Sequence, residues 1–174
     1  MAIKEILTEP NEILRQISLP VENVSKEEQI LMDDMLETMY RANGIGLAAI
    51  QVGVPKRIIV LDISKNEKEK KPMYFVNPVV KNKNLNLSTY EEGCLSVPNQ
   101  FAEINRPSSC DVEYLNYNGE KSFLKAEGLL ATCIQHEMDH LEGILFIDYL
   151  SKLKKTMIIK KLSKQKSKLD RIVV

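Results

Sequence analysis

The chain is poor in the residues that mark several large classes of protein. Among its 174 residues there are two histidines, three cysteines and no tryptophan. A small, odd number of cysteines argues against a disulfide framework and favours a reducing compartment, so we expect a cytoplasmic protein. No apolar run approaches the roughly 20 residues that span a bilayer. Residues 1–14 also lack the apolar core and cleavage site of a signal peptide, so we expect no membrane partner.

The remaining composition is that of a globular protein with unevenly distributed charge. The length predicts a single domain, 1–174, and the formal net charge is zero. Residues 151–174 hold nine basic residues and one acidic residue, which leaves 15 basic and 23 acidic residues in 1–150. A basic segment on an acidic body is typical of contact with a polyanion, but a solvated helix face gives the same pattern. The composition does not choose between them.

Three segments carry the apolar spacing of helices. Ser25 and Glu28 have the capping-box spacing that begins a helix. A central helix is predicted over 129–141. A basic C-terminal helix is predicted over 151–174, where the periodic apolar residues are Leu153, Met157, Ile158, Leu162 and Leu169.

Short strands are predicted between these helices. Residues 57–63 and 73–80 are rich in β-branched side chains, and Pro78 favours a sheet edge for the second of them. Residues 111–128 form two runs around Asn118-Gly119, which predicts a hairpin with a type I′ turn. The predicted fold is therefore α+β. It has short antiparallel strands and hairpins around the central helix, with an N-terminal helix and a basic C-terminal helix.

Both histidines lie in one segment, CIQHEMDHLEG, at residues 133–143. His136 and His140 are four residues apart, so on a helix they lie on one face and can bind a single metal ion. Glu137 is offset around the helix, where it can reach a metal-bound water. A surface helix with two incidental histidines beside acidic residues would give the same letters. Metal binding is favoured because both histidines of the chain fall in the pattern.

A catalytic metal needs a third protein ligand. In one common arrangement a glutamate follows about 20 residues later, but after Asp148 the only carboxylate is Asp170. In another, a third histidine follows the second by roughly six positions, where this chain has Phe146. Cys133 is unsuitable because its separation from His140 along a helix axis is about 10 Å.

Cys94 is the best remaining candidate for the third ligand. It lies in YEEGCLSVP, residues 90–98, directly after a glycine, and we expect a loop there. A loop cysteine can bring a thiolate to a metal on a distant helix. Cys110 opens a predicted strand, so we expect it in the core.

Three segments resemble the peptide deformylase family. They are GIGLAAIQVG (44–53), EEGCLSVP (91–98) and QHEMDHLEG (135–143), in the family's order and spacing. The resemblance covers essentially the whole chain and points to the bacterial type with a helical C-terminus. It implies hydrolysis of the N-formyl group from the N-terminal methionine of newly made polypeptides, with release of formate.

The resemblance also implies roles for particular residues. The metal ligands would be Cys94, His136 and His140. The metal would be one divalent ion, Fe²⁺ in the cell, which Zn²⁺, Ni²⁺ or Co²⁺ can replace. Glu137 would be the general base, and Gln51 would stabilise the oxyanion together with the backbone N–H of Leu95.

The substrate site follows from the same resemblance. The nascent peptide would lie extended, as an added strand. It would contact the backbone of Gly44–Gly46 and that of Glu92 and Gly93. The residues that line the methionine pocket would be Ile45, Tyr90, Leu129, Thr132 and Cys133. Core packing explains each of these five equally well and is compatible with that role.

Phe101 departs from the family pattern, because many members have an arginine at this position. We therefore do not expect the substrate contact of that arginine here. The same resemblance implies that the basic C-terminal helix docks on the ribosome, and no DNA partner is expected. Two other classes stay open: a different metallohydrolase with a Cys/His/His metal, such as an aminopeptidase-like enzyme, and a ribosome-associated protein whose metal is structural.

Overall fold

The computed structural model of the chain describes residues 2–64 and 69–172, with side chains as far as residue 165. Its α-helices are α1 (Lys26–Arg41), α2 (Gly128–Leu141) and α3 (Lys152–Ile172). Its strands are β1 (Gly46–Ala48), β2 (Ile58–Leu61), β3 (Met73–Lys81), β4 (Leu87–Cys94), β5 (Val97–Pro107), β6 (Ser109–Leu115) and β7 (Lys121–Glu127). Short 3₁₀ helices include Ala49–Val52 and Phe146–Tyr149. The α+β prediction is confirmed.

The strands form two antiparallel sheets. The larger sheet has five strands in the order β1-β2-β3-β6-β7, and β4 pairs with β5 as a separate hairpin. Helix α2 contacts strands of both sheets, which makes it the central helix of the fold. No helix within residues 2–64 and 69–172 is long and apolar enough to cross a membrane.

Strand β2 is buried on both faces and joins two parts of the core. Because side chains alternate along a strand, Ile59 and Leu61 pack in the cluster that includes Ile134 of α2. Ile58 and Val60 face the opposite way, into the cluster formed with the methionine-rich face of α1. Four consecutive aliphatic side chains are therefore buried, which holds α2 and α1 on opposite sides of one sheet.

The predicted start of the N-terminal helix is confirmed at α1. The hydroxyl of Ser25 accepts a hydrogen bond from the backbone N–H of Glu27, and the Ser25 N–H donates to the Glu28 carboxylate at 3.0 Å. Lys56 Nζ lies 2.8 Å from the other oxygen of Glu28, so the cap is also tied to the segment before β2. The basic helix is present as α3, although the side chain of Leu169 and residues 173–174 lie outside the described part of the chain.

The prediction of an edge position for 73–80 is wrong. Strand β3 lies in the middle of the five-stranded sheet, between β2 and β6. The proline is tolerated because the register shifts between Val76 and Val79, and Asn77 adopts a positive φ of 50° at this bulge. The Asn77 side chain holds the bulge with two hydrogen bonds to the backbone of Val21, at 2.7 and 2.8 Å.

The hairpin of β6 and β7 is confirmed, but its predicted type I′ turn is wrong. Such a turn needs positive φ at both central residues, and only Gly119 has it, at 80°. Asn116 N–H donates to the carbonyl of Glu120, and Gly119 N–H donates to the carbonyl of Asn116, both at 2.9 Å. The connection is therefore a three-residue loop with glycine at the left-handed position. The Asn116 side chain stabilises it by accepting from the backbone N–H of Asn118.

Candidate metal centre and substrate cavity

Three potential metal ligands meet where the β4–β5 hairpin touches α2. The ligand atoms of Cys94, His136 and His140 all lie within 4.8 Å of one another. Cys94 Sγ is 3.3 Å from His140 Nε2, and the two imidazole rings are 5.0 Å apart in an edge-on arrangement. The helical spacing of the histidines thus places both rings beside the cysteine, as the sequence predicted, and the three residues form a possible metal site.

The expected loop around Cys94 is wrong. Glu92 pairs with Ala102 and Gly93 pairs with Phe101, so Cys94 is the last residue of strand β4. The register shifts between Gly93 and Cys94, just before the tight turn at 95–96. A strand end next to a turn fixes the thiol more firmly than a loop would, because the ladder hydrogen bonds hold the backbone on one side.

Cys133 is close to this centre but is not one of the three clustered ligands. It lies one turn before His136 on α2 and is buried. Burial and the nearby carboxylates of Glu137 and Glu92 raise the pKa of its thiol to about 12. The group therefore behaves as a small apolar side chain.

A buried chain of charges orients His136. Its Nδ1 lies 2.8 Å from Glu92 Oε2, and because a carboxylate only accepts, Nδ1 carries the proton. Arg106 in turn donates to both oxygens of Glu92, at 2.6 and 3.0 Å, and to Asp139 at 2.8 Å. With Nδ1 occupied, Nε2 is the nitrogen of His136 that is free to bind a metal. Arg106 keeps Glu92 charged, since it and His136 lower the pKa of that carboxyl against the effect of burial.

Sequence reasoning missed this chain of charges. Glu92 was predicted only as a backbone contact for the substrate, and Arg106 and Asp139 were given no role. The signal for Arg106 lies in strand alternation: Ile104 and Arg106 are two residues apart in β5 and both are buried. A buried arginine needs acidic partners, so recognising β5 as a strand would have called for a carboxylate beside it.

Glu137 is buried beside the possible ligands. Burial raises the pKa of its carboxyl to about 7, and its Oε2 has no hydrogen-bond partner among the described residues. The opposite oxygen lies so close to Gly46 that a Cβ on this residue would overlap it. The glycine therefore makes room for the carboxylate at the edge of the metal site.

Gln51 approaches the centre from the opposite side. Its Oε1 accepts from the Ala48 N–H at 2.8 Å, which fixes the amide so that Nε2 faces Ser96 Oγ at 3.0 Å and Cys94 Sγ at 3.5 Å. The N–H of Ser96 also points to Cys94 Sγ, at 3.4 Å. The thiol therefore lies among hydrogen-bond donors.

These groups open into a cavity of about 560 Å³. Every predicted site residue except His140 lines it, namely Ile45, Gly46, Gln51, Tyr90, Glu92, Gly93, Cys94, Leu95, Leu129, Thr132, Cys133, His136 and Glu137. His140 is 1% exposed and lies behind the cavity wall. The cavity also reaches residues that the sequence did not indicate, Val97 to Gln100, on the first half of β5.

Three potential nitrogen and sulfur ligands beside a buried carboxyl group are typical of one class of site, that of a single-metal hydrolase with a coordination position left for water or substrate. The comparisons with known proteins agree with this class. The sequence profile of the polypeptide deformylase family matches residues 3–156. A peptide deformylase of Pelagibacter ubique is 75% identical over 174 residues, which is the full length of both chains.

Other relatives and solved structures give the same result. A peptide deformylase of Maricaulis maris is 56% identical over 171 residues, covering 98% of each chain. The crystal structure of peptide deformylase from Ehrlichia chaffeensis in complex with actinonin has a TM-score of 0.91 at 42% identity, and covers 95% of this chain and 98% of that one. The Met-Ala-Ser-bound peptide deformylase of Acinetobacter baumannii has a TM-score of 0.80 at 33% identity, over 86% of this chain and 99% of that one.

This chain belongs to the polypeptide deformylase family, the enzymes that remove the N-formyl group from nascent peptides. The resemblance inferred from three short segments is confirmed over the full length.

Proposed function

We propose that this chain removes the N-formyl group from the N-terminal methionine of new polypeptides, with release of formate, at the site formed by Cys94, His136 and His140. One observation carries the assignment: the three clustered ligand atoms and the carboxyl of Glu137 open into the same cavity. Because such substrates are made on ribosomes, we also propose a cytoplasmic location.

The residues present fit a divalent metal ion. One thiol and two imidazoles form a donor set suited to Fe²⁺, Zn²⁺, Ni²⁺ or Co²⁺, and the fixed tautomer of His136 leaves its Nε2 available. We propose Fe²⁺ as the ion in the cell. The chemistry that such an ion supplies is acidification of water and polarisation of a carbonyl oxygen.

Glu137 has the properties of the proton-transfer group. A pKa of about 7 lets one carboxyl both accept a proton from the attacking water and return it to the leaving amine. Its burial excludes competing water, and the Oε2 that has no partner among the described residues is the atom that would hold the proton.

Gln51 and the backbone N–H of Leu95 are proposed to bind the oxyanion. The Gln51 amide is held by Ala48 before any substrate arrives, so its orientation is fixed in advance. Leu95 lies in the turn directly after Cys94 and lines the same cavity. Donors fixed in this way stabilise the charge that develops on the formyl oxygen.

The substrate is proposed to bind as an extended strand between Ile45–Gly46 on one side and Glu92–Gly93 on the other. Both segments line the cavity, and a backbone ladder ignores side-chain identity, which suits an enzyme that processes many sequences. The methionine side chain would enter the part lined by Tyr90, Leu129, Thr132 and Cys133, alongside Ile45. The formyl carbon bears only hydrogen, so a tight fit at that position would exclude an acetyl group.

The test is formate release from formyl-Met peptides by protein loaded anaerobically with Fe²⁺. We expect Glu137→Ala to lower kcat by roughly 10²–10⁴-fold, since that is the usual contribution of a positioned proton-transfer group. Glu142→Gln is the matched control, because this residue lies at the end of α2 and pairs with Arg57 outside the cavity. Metal content is measured for every variant.

Three outcomes would contradict the proposal. No formate release by wild-type protein containing Fe²⁺ would overturn the assignment of this chain's activity to this site. Release of methionine from peptides with a free amino terminus would point instead to the aminopeptidase-like alternative. Full activity in Glu137→Ala at normal metal content would leave deformylation standing but remove Glu137 from the mechanism.

We further propose that α3 binds the ribosome. Its lysine-rich composition supports contact with the phosphates of RNA, and Lys152 and Lys160 are exposed on it. Lys152→Gln combined with Lys160→Gln should weaken co-sedimentation with ribosomes, and raising the salt concentration should weaken that of the wild type. The control pair is Lys83→Gln with Lys125→Gln, which removes two exposed lysines away from α3. Equal loss in both pairs would contradict a specific role for α3.

A further inference from the structure

A second cavity, of about 650 Å³, adjoins the substrate cavity. It lies between β5 and α3, and the two cavities share Gln100 and Phe101. The Phe101 ring lies directly on Gly93, where an added Cβ would come within 2.6 Å of the ring carbon Cε1. A peptide that leaves the substrate cavity along Gly93 therefore meets this ring first. We call the second cavity the α3 groove.

One wall of the α3 groove is a single face of α3. Lys154, Met157, Ile158 and Lys161 line it at the spacing i, i+3, i+4 and i+7, which brings side chains onto one side of a helix. The opposite wall comes from β5, mainly Phe101. Phe101 and Met157 are 66% and 62% exposed, so two large apolar side chains face solvent at this groove.

The wall formed by α3 is held in place by contacts on its other side. Leu162 is only 4% exposed and packs with Leu145 and Phe146, and Ile158 packs against the same cluster. Lys155 Nζ also lies 2.5 Å from Asp148 Oδ1. The groove therefore exists before any ligand binds, which lowers the ordering cost of binding.

The charge of the groove complements one kind of segment. Lys154 and Lys161 lie on the α3 wall and Glu103 on the β5 wall, so positive charge exceeds negative charge. Together with Phe101 and Met157, the lining favours an extended segment that carries apolar and acidic side chains.

We propose that the α3 groove binds the downstream residues of the same nascent peptide whose formylated end occupies the substrate cavity. Continuity selects this occupant, because the two cavities meet at Gln100 and Phe101, and Phe101 pairs with Gly93, which lines the substrate cavity. The inference rests on the proposed function. It makes Phe101 and Met157 determinants of the preference for long substrates.

The experiment compares a formylated tripeptide with formylated octapeptides that share its first three residues. One octapeptide carries leucine and glutamate in its second half, and the other carries leucine and lysine. For wild-type protein we expect kcat/KM to be about 10-fold higher for the acidic octapeptide than for the tripeptide, with a smaller gain for the basic one. Met157→Glu should abolish the gain and leave the tripeptide rate unchanged.

Leu153→Glu is the matched control. Leu153 is 72% exposed on the same helix but does not line the groove, so this variant should keep the gain. Equal kcat/KM for tripeptide and octapeptides in the wild type, or loss of the gain in both variants, would overturn the inference while deformylation stands. Sedimentation that shows a dimer broken by Met157→Glu would also overturn it, because a second copy would then occupy the groove. Failure to hydrolyse even the tripeptide would instead refute the proposed function.

Discussion

At the scale of single residues, the contact between Gly46 and Glu137 sets the geometry of the site. The carboxylate lies against the Cα of Gly46 because no side chain is present there. A carboxylate in this position lies beside the possible ligands and is buried, and its burial raises its pKa to about 7. The absence of a side chain at Gly46 of β1 therefore determines where the Glu137 carboxylate of α2 can lie.

We expect Gly46→Ala to lower kcat/KM by roughly 10–100-fold, because the new methyl group must displace the Glu137 carboxylate and a small displacement of a reacting group is costly. The same methyl group would lie 2.8 Å from Leu61 Cδ2, the end of a side chain that can shift. The measurement is steady-state formate release, together with thermal denaturation. A large loss of Tm with unchanged kcat/KM would contradict displacement of the carboxylate.

The residues of the proposed metal site differed in how far they could be predicted. The pairing of His136 with His140 was predictable because their four-residue spacing on a helix can be seen in the sequence. Cys94 was predicted by exclusion of the other candidates. The link from Glu92 through Arg106 to Asp139 could not be found in this way, because it joins residues on β4, β5 and α2 that pair only in the folded chain. Local sequence patterns predict local geometry, whereas buried ion pairs between distant segments leave no local pattern in the sequence.

At the scale of elements, the cap of α1 connects local sequence to acid stability. Hydrogen bonds from Lys56 and Ser25 lower the pKa of Glu28 to about 2, from an ordinary value of 4.5. A carboxyl whose pKa is lower in the folded state stabilises that state fully above its unfolded pKa. This contribution declines as the pH falls from about 4.5 to about 2.

Glu28→Gln should therefore be less stable than the wild type at neutral pH, and the difference in the free energy of unfolding should shrink as the pH falls through this range. Urea unfolding at a series of pH values measures it. Glu27→Gln is the control, since its partner is also Lys56 but its side chain is 81% exposed. Exposed pairs of this kind contribute little, so this variant should resemble the wild type throughout. A difference for Glu28→Gln that stays constant from pH 6 to pH 2 would contradict the interpretation.

Two of the wrong predictions at this scale share a physical cause. Pro78 was predicted at a sheet edge because proline removes a ladder hydrogen bond. The bulge at Asn77 takes Pro78 out of the ladder, so the proline is tolerated in a central strand. Cys94 was placed in a loop because Gly93 precedes it, yet the glycine serves to admit the Phe101 ring. In both cases a residue that weakens regular structure locally is accommodated by a neighbouring strand or ring.

At the scale of the whole molecule, the helices and most strands were predictable because each has its own periodicity or turn signal. The order of the sheet, and the docking of the β4–β5 hairpin on α2, were not, because they depend on pairings between distant segments. Strand β2 is buried on both faces and joins the core cluster of α2 to that of α1. The single-domain organisation over 1–174 stays a prediction.

The division of the three proposed metal ligands between β4 and α2 has a consequence for how the protein matures. Cys94 and His140 are 46 positions apart in the chain, and β5, β6 and β7 lie between them. Contacts at such separation form after local ones, since closing a long loop costs conformational entropy. The complete set of ligands therefore exists only once the β4–β5 hairpin has docked on α2. Metal binding would then be a late step of folding. A newly made chain would act on other polypeptide chains only after its own folding is complete.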